Sequence, residues 1–190
     1  MEPTLVLVKA RQKMILEKML MKYQLELTGK ENPEKYKHLG SYWEKKNRKP
    51  YFIAINTTIV GFVLLNNHTL VQKDGYNVAE FYIKKAYRNK GIGKKAVYVL
   101  FNLFPGRWEI RQLDNNITGQ KFWNNVVDKY TNHNYKEISF ENEKWRGIVQ
   151  IFDNRKLVKK RGARRAKIKK NLFDFIGNQA TFKNILGFVM

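Results

Sequence analysis

The chain has no cysteine and only four prolines in 190 residues. The missing thiol excludes disulfides, thiolate zinc centres and a cysteine nucleophile, while leaving the compartment open. No window of about 18 apolar residues occurs, so no membrane-spanning helix is expected. The start offers Glu2 and one brief apolar run, Leu5 to Val8, so no secretory signal is expected, and a soluble, cytoplasmic protein is the default. Metal chemistry has little to draw on, because His38, His68 and His133 stand apart without carboxylates at ligand spacing; no metal is expected. A Gly-x-Ser-x-Gly elbow is also missing. Acidic residues are scarce, 16 against 37 basic ones, for a net charge of +21.

That charge is unevenly spread. Residues 155–170 hold ten basic residues and no acidic one, and residues 1–154 still carry 26 basic against 15 acidic residues. Such a field concentrates anionic cofactors, nucleic acid and acidic protein faces, and disfavours a polycationic small molecule. The composition shift at Asp153 divides the chain into a domain, 1–153, and an extension, 154–190. Residues 155–170 suit an arm contacting nucleic acid or the ribosome, or a solvated charge run without a partner. Residues 171–190, with Leu172, Phe173, Phe175, Ile176, Phe182 and Ile185, are too apolar to stay in water. Docking on the domain or pairing in a homodimer would cover them, and a membrane surface stays open.

In chain order, Thr4 to Val8 reads as a strand. A helix follows from about Ala10 to Leu27, apolar on more than one stripe and hence expected to be wedged between neighbours, with its methionines filling core gaps. Gly29 to Lys49 is polar, with Tyr36, Tyr42 and Trp43 interspersed; Trp43 is expected to anchor this loop to the core. Tyr51 to Asn56 and Ile59 to Leu65 form a hairpin about Thr57-Thr58. Val78 to Ile83 is the next strand, and Tyr135 to Phe140 with Trp145 to Phe152 close the domain. The pattern implies a mixed α/β fold: a central sheet, antiparallel in its first half, with flanking helices.

The stretch that organises the rest is Val78 to Leu103. A β-branched and aromatic strand feeds a helix through Arg88-Asn89-Lys90-Gly91-Ile92-Gly93. A helix start leaves unpaired N–H groups backed by the positive end of the dipole, which is a cradle for phosphate. Gly91 and Gly93 let an anion approach the main chain, and Arg88, Lys90, Lys94 and Lys95 add charge. The spacing fits neither Gly-x-Gly-x-x-Gly nor the Walker loop. It fits Arg/Gln-x-x-Gly-x-Gly/Ala. Downstream, the strand Gly106 to Arg111 precedes Asn115-Asn116, and Phe122-Trp123 follows one and a half turns into a helix that runs to about Tyr130.

These ordered motifs resemble the GNAT superfamily of acyl-CoA-dependent N-acetyltransferases, over roughly Leu5 to Asp153. The resemblance implies the acyl-CoA N-acyltransferase fold and acetyl-CoA as cosubstrate. It assigns the pyrophosphate to Arg88, Asn89, Lys90, Gly91, Ile92, Gly93 and Lys94. The pantetheine arm falls to the strand at Phe81, Tyr82 and Ile83 and to Asn116, Phe122 and Trp123. It further implies transfer of acetyl to a primary amine, on a small molecule or a protein, by direct attack in a ternary complex. Glu80, the one carboxylate in its strand, is the candidate base, with a rim ion pair as its other reading. The leaving-group acid departs from the family pattern: the usual tyrosine position holds Trp123, so Tyr130 or Tyr82 is the substitute candidate, or the thiolate leaves with help from water. The competing class is a noncatalytic nucleic-acid or ribosome-associated protein that uses the basic surface.

Overall fold

The computed structural model describes residues 1–31, 33–142 and 145–164. Met1 to Asn154 form one compact unit, and the described residues 155–164 belong to a second. Residues 155–164 are helical. The rest of the basic run and the apolar segment 171–190, with the expectations placed on them, lie outside the described residues.

The first unit is built on seven strands: β1 (Thr4–Leu7), β2 (Lys49–Ile55), β3 (Thr58–Asn66), β4 (Tyr76–Ile83), β5 (Arg107–Leu113), β6 (Lys136–Asn142) and β7 (Trp145–Asp153). Four helices connect them: α1 (Lys13–Thr28), α2 (Ser41–Glu44), α3 (Ile92–Leu103) and α4 (Ile117–Thr131). The spatial order is β1-β2-β3-β4-β5-β7-β6, so the closing hairpin inserts its second strand between β5 and β6. All pairings are antiparallel except β4 with β5. The mixed sheet with flanking helices is therefore the fold the sequence implied.

The hairpin between β2 and β3 turns on Asn56-Thr57, one residue earlier than expected. Asn56 supplies the positive φ, 52°, that a tight turn otherwise takes from glycine.

Two clusters cover opposite faces of the sheet. On one, Leu16, Met19 and Leu20 of α1 pack with Leu39 and Tyr42 against Phe52, Phe62, Leu64 and Tyr82. On the other, Ile92 and Ala96 of α3 pack on Ile53, Ile55, Val60 and Ile83. Farther along, Phe101 of α3 meets Trp108 of β5 edge to face at 4.6 Å and Tyr130 of α4 at 4.9 Å.

One expectation about α1 is corrected. Only Leu16, Met19 and Leu20 are buried, a single stripe at i, i+3, i+4, while Met14, Ile15, Met21, Leu25 and Leu27 face solvent. The helix lies on one face of the sheet, and of its methionines only Met19 fills core space.

Candidate active site

A bulge in β4 decides which way the site faces. Tyr76 packs against Trp108 with the rings tilted, 5.2 Å between centroids, on the α3 side. Strict alternation would send Glu80 and Tyr82 to that side too. The register with β3 instead steps from Leu64↔Glu80 to Leu65↔Val78, leaving Ala79 without a partner. That extra residue reverses the phase. Glu80 and Tyr82 consequently face α1, and Phe81 and Ile83 face α3 and α4.

Beyond the bulge β4 leaves its parallel neighbour. β5 pairs only with Tyr76 and Asn77, whereas β4 continues to Ile83, so the two strands part along Val78 to Ile83. The hydrogen bond from Lys84 N to Val60 O, 2.8 Å, fixes which groups point into the gap. Alternation makes Phe62/Tyr82 and Leu64/Glu80 the bonded pairs with β3. Phe81 and Ile83 therefore turn their N–H and C=O away from β3, toward the opening.

At the end of this opening lies the glycine-containing turn. Gly91 is the N-cap of α3 with φ 72° and no capping side chain. Among the described residues, the amides of Gly91, Ile92, Gly93 and Lys94 have no backbone acceptor. They lie ahead of the helix ladder, at its positive end. A Cβ at Gly91 would meet nothing within 4 Å, which leaves open space in front of the main chain. Gly93 differs from expectation: a Cβ there would sit 3.2 Å from Phe122, so this glycine serves close packing of α3 on α4.

The basic side chains of the turn are partly committed to protein. Arg88 donates through Nε to Ile83 O at 2.8 Å and pairs with Glu26, with its guanidinium over the Tyr82 ring. Lys90 donates to Ala86 O at 2.9 Å, and Lys95 pairs with Glu2 at 2.5 Å. Asn89 holds the turn itself, with φ 60°.

Asn116 caps α4, its Oδ1 accepting from Gly119 N at 2.9 Å. Phe122 stacks on Phe81 at 5.5 Å, and Trp123, 8% exposed, meets Phe81 edge to face at 5.5 Å. The motif of α4 and the strand of the bulge are thus one aromatic layer beside the gap.

The structure does not bring Tyr130 to this place. It is fully buried, donates to Asn102 Oδ1 at 2.9 Å, accepts from Asn154 at 3.3 Å, and packs among Phe101, Tyr98 and Phe152. A phenol held in the core by two amides is not placed to protonate a leaving group, so the expectation for Tyr130 is corrected. Tyr82 donates to Glu26 at 2.8 Å, and burial, then Glu26, raise its pKa to about 12.

Glu80 is the chemically distinctive group. Burial raises its pKa to about 7, while hydrogen bonding from Tyr23 and Tyr36 holds it partly down. Burial and the facing carboxylate raise both phenols. Tyr42 packs in the same cluster, and Trp43 Nε1 anchors the loop to Val8 O at 2.9 Å. Sequence reasoning left the three tyrosines outside the site, since they lie 38 to 57 positions from Glu80 and only the fold unites them. For Tyr36 and Tyr42 the one visible signal was aromatic residues in an otherwise polar loop, and Tyr23 on α1 gave none.

A second buried carboxylate, Glu109, is structural. It accepts from the amides of Leu70, Val71 and Gln72 at 2.6, 3.1 and 3.2 Å, with Arg111 3.8 Å away, and so pins the connection between β3 and β4. Among the described residues, no three His, Asp or Glu side chains come together as metal ligands. No helix there is long and apolar enough to cross a membrane.

The bulged strand thus parts from its parallel neighbour above a helix start without a side-chain cap. Residues 16–125, more than half of the chain, match the acetyltransferase (GNAT) family, and the chain belongs to that family. No curated protein matches it in sequence.

Solved structures share the fold. An acetyltransferase from Thermus thermophilus aligns with TM-score 0.62 and 12% identity, over 80% of this chain and 97% of that one. The aminoglycoside acetyltransferase AAC(6')-Ib in complex with coenzyme A gives TM-score 0.62 and 13% identity, over 84% and 98%. A ribosomal-protein-alanine N-acetyltransferase from Brucella melitensis biovar Abortus gives 0.50 and 16%, over 66% and 91%.

Proposed function

We propose that the chain transfers acetyl from acetyl-CoA to a primary amine by direct attack in a ternary complex, with Glu80 as general base. The observation that carries this reading is Glu80 itself. It is a carboxylate at a β-bulge, beside parted strands, whose pKa of about 7 suits proton removal near neutral pH. The residues present fit the cosubstrate. The amides of Gly91 to Lys94 suit its pyrophosphate, with Asn89, Lys90 and the Arg88 side chain around them. The backbone groups of Phe81 and the N–H of Ile83, which turn away from β3, together with Asn116, suit the polar groups of pantetheine, while the Ile83 carbonyl is taken by Arg88; Phe122 and Trp123 wall the gap.

The acceptor arrives as an ammonium. Glu80 takes one proton, and the neutral amine attacks the thioester carbonyl, whose developing oxyanion is met by a backbone N–H of the parted strand. The carbon–sulfur bond then breaks, the electron pair leaves on sulfur, and the nitrogen gives up its second proton to water or to the departing thiolate, leaving a neutral amide. A thiol has an ordinary pKa of about 8.5, so the thiolate can depart to water without a dedicated acid. Neither Trp123 nor Tyr130 is needed.

The N-terminal helix and the tyrosines of residues 33–44 form the wall on the acceptor side of Glu80. The cationic surface favours a neutral or anionic molecule bearing one amine over a polycation. Calorimetric titration of acetyl-CoA, with Gly91→Trp beside the wild type, tests the reading. Saturable binding to the wild type, weakened at least about tenfold in the variant, is expected; no binding to the wild type would overturn it.

A further inference from the structure

Gln112 presents an unexplained pair of polar atoms. It lies on β5, is 3% exposed, and neither its Nε2 nor its Oε1 has a hydrogen-bond partner among the described residues. A buried amide with both ends unmet is costly, and most buried polar groups are paired.

Its direction follows from its neighbours on the strand. Trp108 turns to α3, where it meets Phe101. Glu109 and Arg111 turn the other way, to the amides of Leu70 to Gln72 and to Asn77 and His68. Alternation then returns Gln112 to the side of α3 and α4. Its level follows from the parallel pairing. With Asn77 opposite Glu109, Gln112 stands across the parted strands from the Glu80–Phe81 segment. On that same side Phe81 stacks against Phe122. The strand has no slack there: a Cβ on Gly147 of β7 would fall 2.1 Å from the carbonyl oxygen of Gln112.

The unmet donor and acceptor therefore lie on the face of β5 that borders the gap, across from the backbone groups of Phe81 that turn away from β3. We propose that Gln112 is a positioning residue for the acyl donor, its amide bonding the amide groups of the pantetheine arm from the β5 side. This rests on the acyl-CoA reading above. Pantetheine carries carbonyl and N–H groups along one chain, which is the complement of an amide with both functions free. Bonded on β4 by main chain and on β5 by a side chain, the arm is held from both walls, so that the thioester carbon stays within reach of the amine.

The test compares wild type with Gln112→Leu and Gln112→Glu, using two probes, acetyl-CoA and adenosine 3',5'-bisphosphate, which lacks pantetheine. Gln112→Leu is expected to melt at or above the wild-type temperature, since it removes two unpaired polar atoms. It is expected to bind acetyl-CoA about tenfold more weakly, the scale of a lost hydrogen bond in a dry site. Binding of the bisphosphate should be unchanged. In turnover KM for acetyl-CoA rises with kcat within about threefold of wild type, and Gln112→Glu, which keeps an acceptor, recovers part of the loss.

Equal acetyl-CoA affinity in wild type and Gln112→Leu overturns the proposal while leaving the acyl-CoA reading intact. A lower melting temperature with both probes weakened also overturns it, in favour of a purely structural role. Failure of the wild type to bind acetyl-CoA overturns the proposal together with the reading beneath it.

Discussion

Tyr82 donates to Glu26 at 2.8 Å, joining the strand of the bulge to the last turn of α1. The second oxygen of Glu26 pairs with Arg88, so one carboxylate ties α1 to the glycine-containing turn ahead of α3. Burial pushes the Glu26 carboxyl up, but the hydrogen bonds from Arg88 and Tyr82 outweigh it and hold the group below its ordinary 4.5. The tie is therefore present above pH 4.5 and lost as pH falls through the depressed value.

Glu26→Gln keeps a partner for Tyr82 and releases the charge of Arg88. Acetyl-CoA affinity is expected to rise about two- to threefold at low salt, with the gain vanishing at high salt, as befits a half-exposed pair. Titration at two ionic strengths checks this.

Glu80→Gln separates chemistry from stability. With a pKa near 7, the wild type should lose kcat/KM as pH drops below that value. The variant should lose about 10²- to 10⁴-fold in kcat and no longer show that limb. The sign for stability is opposite. A carboxyl raised from 4.5 to about 7 in the folded state binds its proton more tightly there than in the unfolded chain. Folding stability thus falls as pH rises across that interval, and the neutral glutamine should be more stable above about pH 8 by up to about 3 kcal/mol. Denaturant melts at about pH 5 and about pH 8.5, on either side of the interval, measure the difference.

Tyr130→Phe distinguishes a core tyrosine from a catalytic one. Loss of its bonds to Asn102 and Asn154 should cost about 1–2 kcal/mol in a chemical melt, with kcat unchanged within about twofold. A fall in kcat of about a hundredfold without a stability change would restore it to the mechanism.

The turn and the cap were legible in the sequence because both are local. Arg88 to Gly93 and Asn116 to Trp123 declare a helix start through residues that touch one another in the chain. What sets Glu80 apart was not legible. Its face depends on one unpaired residue, Ala79, and its raised pKa on burial in the fold, against which Tyr23 and Tyr36, arriving from α1 and a distant loop, hold it partly down. Tyr130 misled for the same reason, since helical spacing places it on α4 without revealing that Phe101, Phe152 and Asn154 enclose it. The exposed stripe of α1 shows the limit of periodicity where apolar residues outnumber the buried positions.

The two glycines of the turn should respond differently. Gly91→Ala places a side chain in left-handed backbone but in open space, and should cost about 1 kcal/mol, with Gly91→Asn milder. At Gly93 the backbone is ordinary and the space is not: Ala there presses on Phe122 at 3.2 Å, disturbing its stack on Phe81. Paired melts with acetyl-CoA titrations should show Gly93→Ala losing affinity beyond its loss of stability.

The most direct measurement is release of free CoA from acetyl-CoA, followed by thiol detection across a panel of primary amines from about pH 5 to about pH 9, in wild type and Glu80→Gln. Amine-dependent release is expected to rise through about pH 7 in the wild type and to be largely absent from the variant. Release at the same rate in both proteins, or none with any amine despite bound acetyl-CoA, would contradict the proposed reaction.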